Sequence, residues 1–284
     1  MKTFKSIKSL RKYILSLKKE GDSIGFVPTM GFLHAGHIEL IKKCVSENDI
    51  SVVSIYVNPK QFGEGEDFSD YPRDINRDME ILENERVDIL FYPENSEMYP
   101  EKQLALVDVR GLSDVLCGKR RPGHFMGVAT VVLKLFNIVN PDMAYFGQKD
   151  AQQLVIIKKM VKDLNVSVRI KSIPIIRDDN GLALSSRNSY LSNNEKIIAT
   201  QLSKALFKAK SMIENDNILD PLKIIDFIQE RLKKTGGINI DYVEIRRLTD
   251  LSESGIIDRK DCIVAVAIYI GKVRLIDNFI LGEI

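Results

Sequence analysis

Three histidines occur in the 284 residues, and all three stand beside glycines: His34 and His37 in PTMGFLHAGH, His124 in RPGHFMG. A short apolar run at 23–27 precedes the first motif, and Ile38, Leu40, Ile41 and Val45 follow it at near-helical spacing, so the pair belongs to a strand-to-helix turn. With a helix starting near Ala35, its unpaired N–H groups and positive dipole end face that turn, and Gly31 and Gly36 let a phosphate come close to the backbone. His34 and His37, three residues apart, can share one face. A helix N-terminus lowers a histidine's pKa, which suits a neutral imidazole that hydrogen-bonds a phosphate, with positive charge available at a transition state. Two structural histidines in a βα turn are the plain alternative. Zinc would need a third ligand, and the nearest cysteine, Cys44, lies seven residues beyond His37.

Other strings carry polar groups at similar turns. In GQKD, Gly147 permits the turn, Lys149 supplies a point charge for phosphates, and Asp150 could cap a helix or bind a ribose hydroxyl. In RDDNGLALSSRN a D-D-N-G turn leads to Ser185, Ser186 and Arg187, whose hydroxyls and fork-shaped guanidinium suit triphosphate oxygens on a mobile lid. A helix cap over residues 185–188 explains the same string. Gln61 and Gln153 are neutral amides able to hold the hydroxyl and carboxylate of a small polar substrate. Asp78 and the acids of the loop after Gln61 are candidates to approach a metal, with solvated surface as their expected role.

These residues need a frame. The stretch 23–57 reads as strand, helix, strand, hence a βαβ unit and a parallel sheet. NPKQFGEGEDFSDYPRD is too polar for a core and reads as a long loop of the functional kind. A helix over INRDMEILENERV precedes the strand DILFYP; LALVDV at 104–109 is a further candidate strand. RPGHFMGVATVVLKLFNIVNP runs from a glycine turn into a helix, DMAYFGQKDAQQLVIIKKMVKDLN repeats strand, turn and helix, and VSVRIKSIPII is another strand. Residues 192–234 are Lys-rich and helical and lead into two or three β-branched strands. The expected fold is α/β, a Rossmann-like doubly wound parallel sheet over residues 1–175 with a second, smaller α+β domain over 176–284. Two domains also fit the length at roughly 150 residues each.

A net charge of +2, from 41 basic and 39 acidic residues, excludes a protein that coats nucleic acid or anionic membrane, so any polyanion must be held locally. The first twenty residues intersperse Lys with apolar positions and read as a soluble amphipathic helix. Cys44, Cys117 and Cys262 form no CxxC and no even set, which fits a reducing cytoplasm. No GxGxxG follows the first strand, which argues against a dinucleotide oxidoreductase.

The four motifs in order resemble the pantothenate synthetase (pantoate–β-alanine ligase) family almost end to end. PTMGFLHAGH is similar to its first nucleotide motif, NPKQFGEGEDFSDYPRD to its substrate loop, RPGHFMGVATVVLKLFNIVNPDMAYFGQKDAQQL to its central signature, and GLALSSRN to its second nucleotide motif, the counterpart of the KMSKS loop of the HIGH-type nucleotidyl transferases. The resemblance implies that pantoate carboxylate attacks the α-phosphorus of ATP and that the β-alanine amine then takes the pantoyl adenylate to pantothenate and AMP. It implies an ATP site of Met30, Gly31, Phe32, Leu33, His34, Ala35, Gly36 and His37, joined by Gly147, Gln148, Lys149 and Asp150. Ile176 would touch adenine through its backbone, and Leu184, Ser185, Ser186 and Arg187 would close over the phosphates. His37 and Lys149 would be catalytic; Gln61 and Gln153 would hold pantoate, with Gln61 also near β-alanine. Mg2+ and a homodimer are implied, with no nucleic acid or membrane partner. Leu184 stands where the family usually has Met, and Asp178-Asp179-Asn180 where its turn is usually more acidic. Neither the metal ligands nor a role for His124 follows from the motifs.

Overall fold

The structure, a computed structural model, describes residues 1–283. In chain order the first part comprises β1 (Lys2–Phe4), α1 (Ile7–Glu20), β2 (Ile24–Thr29), α2 (Ala35–Glu47), β3 (Ile50–Ile55), α3 (Ile75–Asn84), β4 (Ile89–Phe91) and α4 (Asn95–Met98). Next come α5 (Leu116–Arg120), α6 (His124–Val139), β5 (Met143–Gly147), α7 (Ala151–Asp163) and β6 (Arg169–Ile173). Two long helices, α8 (Asn193–Glu214) and α9 (Pro221–Lys233), precede β7 (Ile238–Arg246), β8 (Asp261–Ile270) and β9 (Val273–Gly282).

Strands β1 to β6 form one all-parallel sheet in the order β1-β4-β3-β2-β5-β6. The chain moves outward from β2 to β3 and β4 on one side and to β5 and β6 on the other. The order therefore reverses between β2 and β5, which is where open α/β sheets bind ligands, beyond the carboxyl ends of the strands. Parallel strands covered on both faces must be apolar on both. Along β2, Phe26 packs among α1, α6 and α7 residues such as Ile14, Phe136 and Ile156, while Val27 faces α2 and α3 through Ile41 and Leu82. The antiparallel sheet β7-β8-β9 buries its own cluster against α8 and α9, including Leu202, Ile213, Ile228, Val264 and Val266. The Rossmann-like α/β architecture with a second, smaller α+β unit is thus the observed fold. No helix among the described residues is long and apolar enough to cross a membrane. Cys44, Cys117 and Cys262 are buried free thiols.

Two local expectations are corrected. The N-terminal segment is not helix throughout, because Lys2–Phe4 pairs in parallel with Ile89–Phe91 before α1 begins. LALVDV forms no strand: the Val107 N–H donates to Thr130 Oγ1 at 2.9 Å rather than to a neighbouring strand, and Leu104 is 85% exposed. An alternating apolar pattern makes a strand only where an edge accepts it.

Helix α6 bears directly on the site because it supports the turn that carries Gln61. Its Gly127 packs against that turn so closely that a Cβ would lie 2.2 Å from the Lys60 carbonyl oxygen. Asn58 Nδ2 donates to the Gly127 carbonyl at 3.2 Å, tying helix to turn. We expect Gly127→Ala to lower unfolding free energy by on the order of 1–3 kcal/mol, the usual cost of forcing atoms into a full space. Urea unfolding checks it, and an unchanged midpoint would contradict the packing.

Candidate active site

The turn after β2 is built around an unusual helix cap. His34 is the N-cap of α2, and its Nδ1 accepts from Gly36 N at 3.1 Å; the His37 Nδ1 accepts from His34 N at 3.3 Å. The arrangement is a capping box in which two imidazoles replace the usual hydroxyl and carboxylate. Gly36 is needed here, since a Cβ would meet the His34 ring at 2.9 Å. Because both Nδ1 atoms accept, the geometry assigns the proton to Nε2 on each ring. The rings lie 4.1 Å apart, centroid to centroid. Burial, then Lys149, lowers the His34 pKa to about 4; burial, then His34 itself, holds His37 well below the ordinary value. Both imidazoles are therefore neutral at pH 7, and the positive end of α2 keeps its field because no acidic side chain occupies its first turn.

Behind this turn sits Asp78, corrected here from solvated surface: it is 1% exposed and accepts from Phe32 N at 2.7 Å and Leu33 N at 2.8 Å. Burial raises its carboxyl above the ordinary range, and the two N–H groups oppose that rise only in part. It fixes the turn where Gly31 has φ +81° and Phe32 φ +49°, backbone that resists adoption without support.

The cleft beyond β2 and β5 encloses about 250 Å³ and brings together motifs far apart in the chain. Met30, His34, Gly36 and His37 line it with Gly147, Lys149 and Asp150 from the turn after β5. Gln61 and Gln153 complete one wall; Ile176, Leu184, Ser185, Ser186 and Arg187 form another. Gly31, Phe32, Leu33, Ala35 and Gln148 do not line it, and the Leu33 side chain is in the core at 0% exposure. Gln61 donates from Nε2 to Met30 Sδ at 2.9 Å and is held by Asn58 Nδ2 at 3.2 Å. The neighbouring pair Gln152-Gln153 splits its duties: Gln152 is buried against Leu112, Val115 and Cys117 backbone, leaving Gln153 for the cleft. Asp150 does not cap α7 with its side chain. The Leu184 N–H donates to the Ile176 carbonyl at 3.0 Å, and Ser185 caps a short 3-10 turn over Ser186–Tyr190, as the cap reading of that string expects.

Two acids of the Gln61 loop, Glu66 and Asp67, are also corrected from surface roles, whereas Glu64, Asp70 and Asp74 are exposed as expected. Asp67 pairs with Arg187 at 2.8 and 2.9 Å, and Glu66 pairs with Arg121 through both carboxylate oxygens. Burial alone would raise Glu66 and Asp67, but the facing guanidinium overrides it and leaves each below the ordinary carboxylate range. His124 holds the same loop, its Nδ1 2.7 Å from the Gln61 carbonyl and its Nε2 3.1 Å from Arg121. Among the described residues no three His, Cys, Asp or Glu side chains gather to hold a metal ion.

Comparison with known proteins decides the family. The model of pantoate–β-alanine ligases matches residues 2–280. This chain belongs to the pantoate–β-alanine ligase family. Pantothenate synthetase from Carboxydothermus hydrogenoformans is 51% identical over 282 residues, covering 99% of each chain, and that from Sulfurihydrogenibium sp. is 53% identical over 270, covering 95% of this chain and 96% of the relative. Among solved structures, the Thermus thermophilus pantothenate synthetase superposes with a TM-score of 0.93 at 38% identity over the whole of both chains. Pantoate-beta-alanine ligase from Francisella tularensis, complexed with beta-gamma ATP and beta-alanine, gives 0.81 at 38% identity, covering 99% of this chain and 97% of that one. The protein is accordingly an enzyme, a ligase of this family.

The structural roles of several residues that build the ligase cleft escaped the sequence reading, in which Asp78 counts only as a metal candidate or solvated surface. Asp78, Arg121 and Asn58 act on groups 46, 55 and 69 positions away, respectively Phe32, Glu66 and Gly127. The local signals were Arg121, immediately before the PGH of the central signature, and Asn58, which opens the NPKQF string.

The histidines give a pH prediction with a definite sign. His124, lowered by burial and then by Arg121, also falls to about 4. Below pH 6.5 the unfolded chain takes up protons that the folded rings refuse until about pH 4, so stability present at neutral pH is lost across that window. NMR titration of the three rings should show midpoints near 4 for His34 and His124, none near 6.5, and the urea midpoint should fall from pH 7 to pH 5. A ring titrating at its ordinary value would contradict the neutral cap.

Proposed function

We propose that this chain condenses (R)-pantoate with β-alanine at the expense of ATP, through a pantoyl adenylate, releasing AMP and pyrophosphate. The observation that carries the proposal is the pair of neutral imidazoles at the α2 N-terminus, facing a cleft that also contains Lys149. Adenylation demands neutralisation of charge around a pentacovalent phosphorus more than it demands a protein nucleophile. His37 donates from Nε2 to phosphate oxygens, Lys149 meets the charge that develops as pyrophosphate leaves, and Ser185, Ser186 and Arg187 close over the triphosphate. Gly147 and Asp150 bind the ribose and Ile176 the adenine. Gln61 and Gln153 hold pantoate, with Gln61 reaching β-alanine. The Francisella relative's complex with beta-gamma ATP and beta-alanine supports the same choice of ligands.

Mg2+ fits this site only as an ion carried on the nucleotide. Asp150 is the one carboxylate lining the 250 Å³ cleft, and Asp67, Glu66 and Asp78 are committed to arginines or to backbone N–H groups. Such an ion, held by phosphate oxygens and Asp150, would supply additional charge neutralisation. Leu184 preserves the volume of the family's usual Met and keeps its backbone bond to Ile176. We further propose a boundary near residue 175 between the nucleotide-binding and lid-bearing domains, a homodimer, and a cytoplasmic location suited to three free thiols.

ATP–pyrophosphate exchange tests the proposal. Exchange should require pantoate and not β-alanine, with net AMP release only when both are present; exchange without pantoate, or with nicotinamide mononucleotide in its place, would overturn it. His37→Ala and Lys149→Ala should each lower kcat by about 10²- to 10³-fold, the usual loss for one transition-state electrostatic contact. A wild-type rate from either variant would remove that residue from the mechanism.

A further inference from the structure

Asp277 and Asn278, adjacent in β9, are 2% and 5% exposed in a strand whose other buried residues are apolar. Being neighbours in a strand, they point to opposite faces, and each reaches a different nucleotide motif. Asn278 Nδ2 donates to the carbonyls of Gln148 at 3.2 Å and Lys149 at 2.9 Å. Two carbonyl acceptors fix the amide's orientation, because only its NH2 can face both, and its Oδ1 is left buried without a partner. On the other face, Asp277 takes a bidentate pair from Arg177 at 2.6 and 2.9 Å, and Arg177 Nη1 also donates to Gly181 O at 3.1 Å. Arg177 opens the hairpin that closes with a bridge to Ala183, and Leu184–Arg187 continue directly from it. The Asn278 main-chain N–H donates to Asp277 Oδ1 at 2.8 Å, tying the Asp277 carboxylate to the backbone of its neighbour.

We propose that Asp277 and Asn278 are positioning residues for the adenylation step: from the small sheet they set the distance between the Lys149 turn and the loop carrying Ser185 to Arg187. Neither touches the reacting atoms. Asn278 acts through the main chain that aims Lys149, and Asp277 acts through the hairpin. A simple interface contact could grip any part of the larger domain, whereas this dipeptide grips the backbone of one motif and the hairpin leading into the other. A misplacement of about 1 Å at such a distance can cost about 10²-fold in rate.

This inference rests on the adenylation reading, and a double-mutant cycle separates the two. In pantoate-dependent ATP–pyrophosphate exchange, Asn278→Ala should lower kcat at least tenfold while the KM for pantoate stays within twofold. In the Lys149→Ala background the same substitution should change kcat less than threefold, because the group it positions is already gone. Equal losses in both backgrounds, or a wild-type kcat in Asn278→Ala, would overturn the positioning role while leaving the proposed reaction intact. Wild-type protein without exchange would overturn the reaction itself and this role with it. Should Asn278→Ala fail to fold, Asn278→Ser, which keeps one donor, enters the same cycle under the same criteria.

Discussion

Everything at the cleft depends on how the N-terminus of α2 is satisfied. A helix start needs acceptors for its free N–H groups, and the common solutions are Ser, Asp or a Glu three residues on. An acidic cap there would cancel the dipole that makes the terminus attractive to an anion. Imidazole avoids the conflict: neutral, it accepts at Nδ1 from the backbone and still presents an N–H at Nε2. The same group thus completes the helix and leaves a donor for a ligand. Support comes from the far side, where the Asp78 carboxylate holds Phe32 and Leu33 by their N–H groups without entering the cleft lining.

The distribution of charge follows the same economy. Three cationic side chains line the 250 Å³ cleft, and two of them, Arg121 and Arg187, are paired with Glu66 and Asp67 of the loop after Gln61. Lys149 has no carboxylate within salt-bridge distance among the described residues. With a net charge of +2 the chain has little long-range field, so its attraction for a triphosphate must be local. In the proposed reading it resides in the helix end, Lys149 and arginines already desolvated against their partners. The switch point of the parallel sheet places the first two of these just beyond the ends of adjacent strands, β2 and β5.

Much of this was legible in the sequence because strand-to-helix turns advertise themselves locally. PTMGFLHAGH and GQKD each pair a glycine break with polar residues between an apolar run and a helical period, and both line the cleft. Long-range partners left no such trace. Asp78 looked like any acid in the first turn of a surface helix, and only the fold brings it to Phe32. Glu66 and Asp67 read as solvated loop acids until Arg121 and Arg187 arrive from elsewhere in the chain. The LALVDV segment failed for the opposite reason, a good local pattern with no sheet edge to receive it, and Lys2–Phe4 was too short to show a period at all.

The central claim is that the neutral His34–His37 cap and Lys149 form the seat of the triphosphate. A crystal structure of this protein with a non-hydrolysable ATP analogue tests it most directly. The account predicts phosphate oxygens within hydrogen-bond distance of His37 Nε2 and Lys149 Nζ, with both Nδ1 atoms still accepting from the α2 backbone. A triphosphate bound away from the α2 N-terminus, or a His37 ring turned so that Nδ1 faces the phosphates, would contradict it.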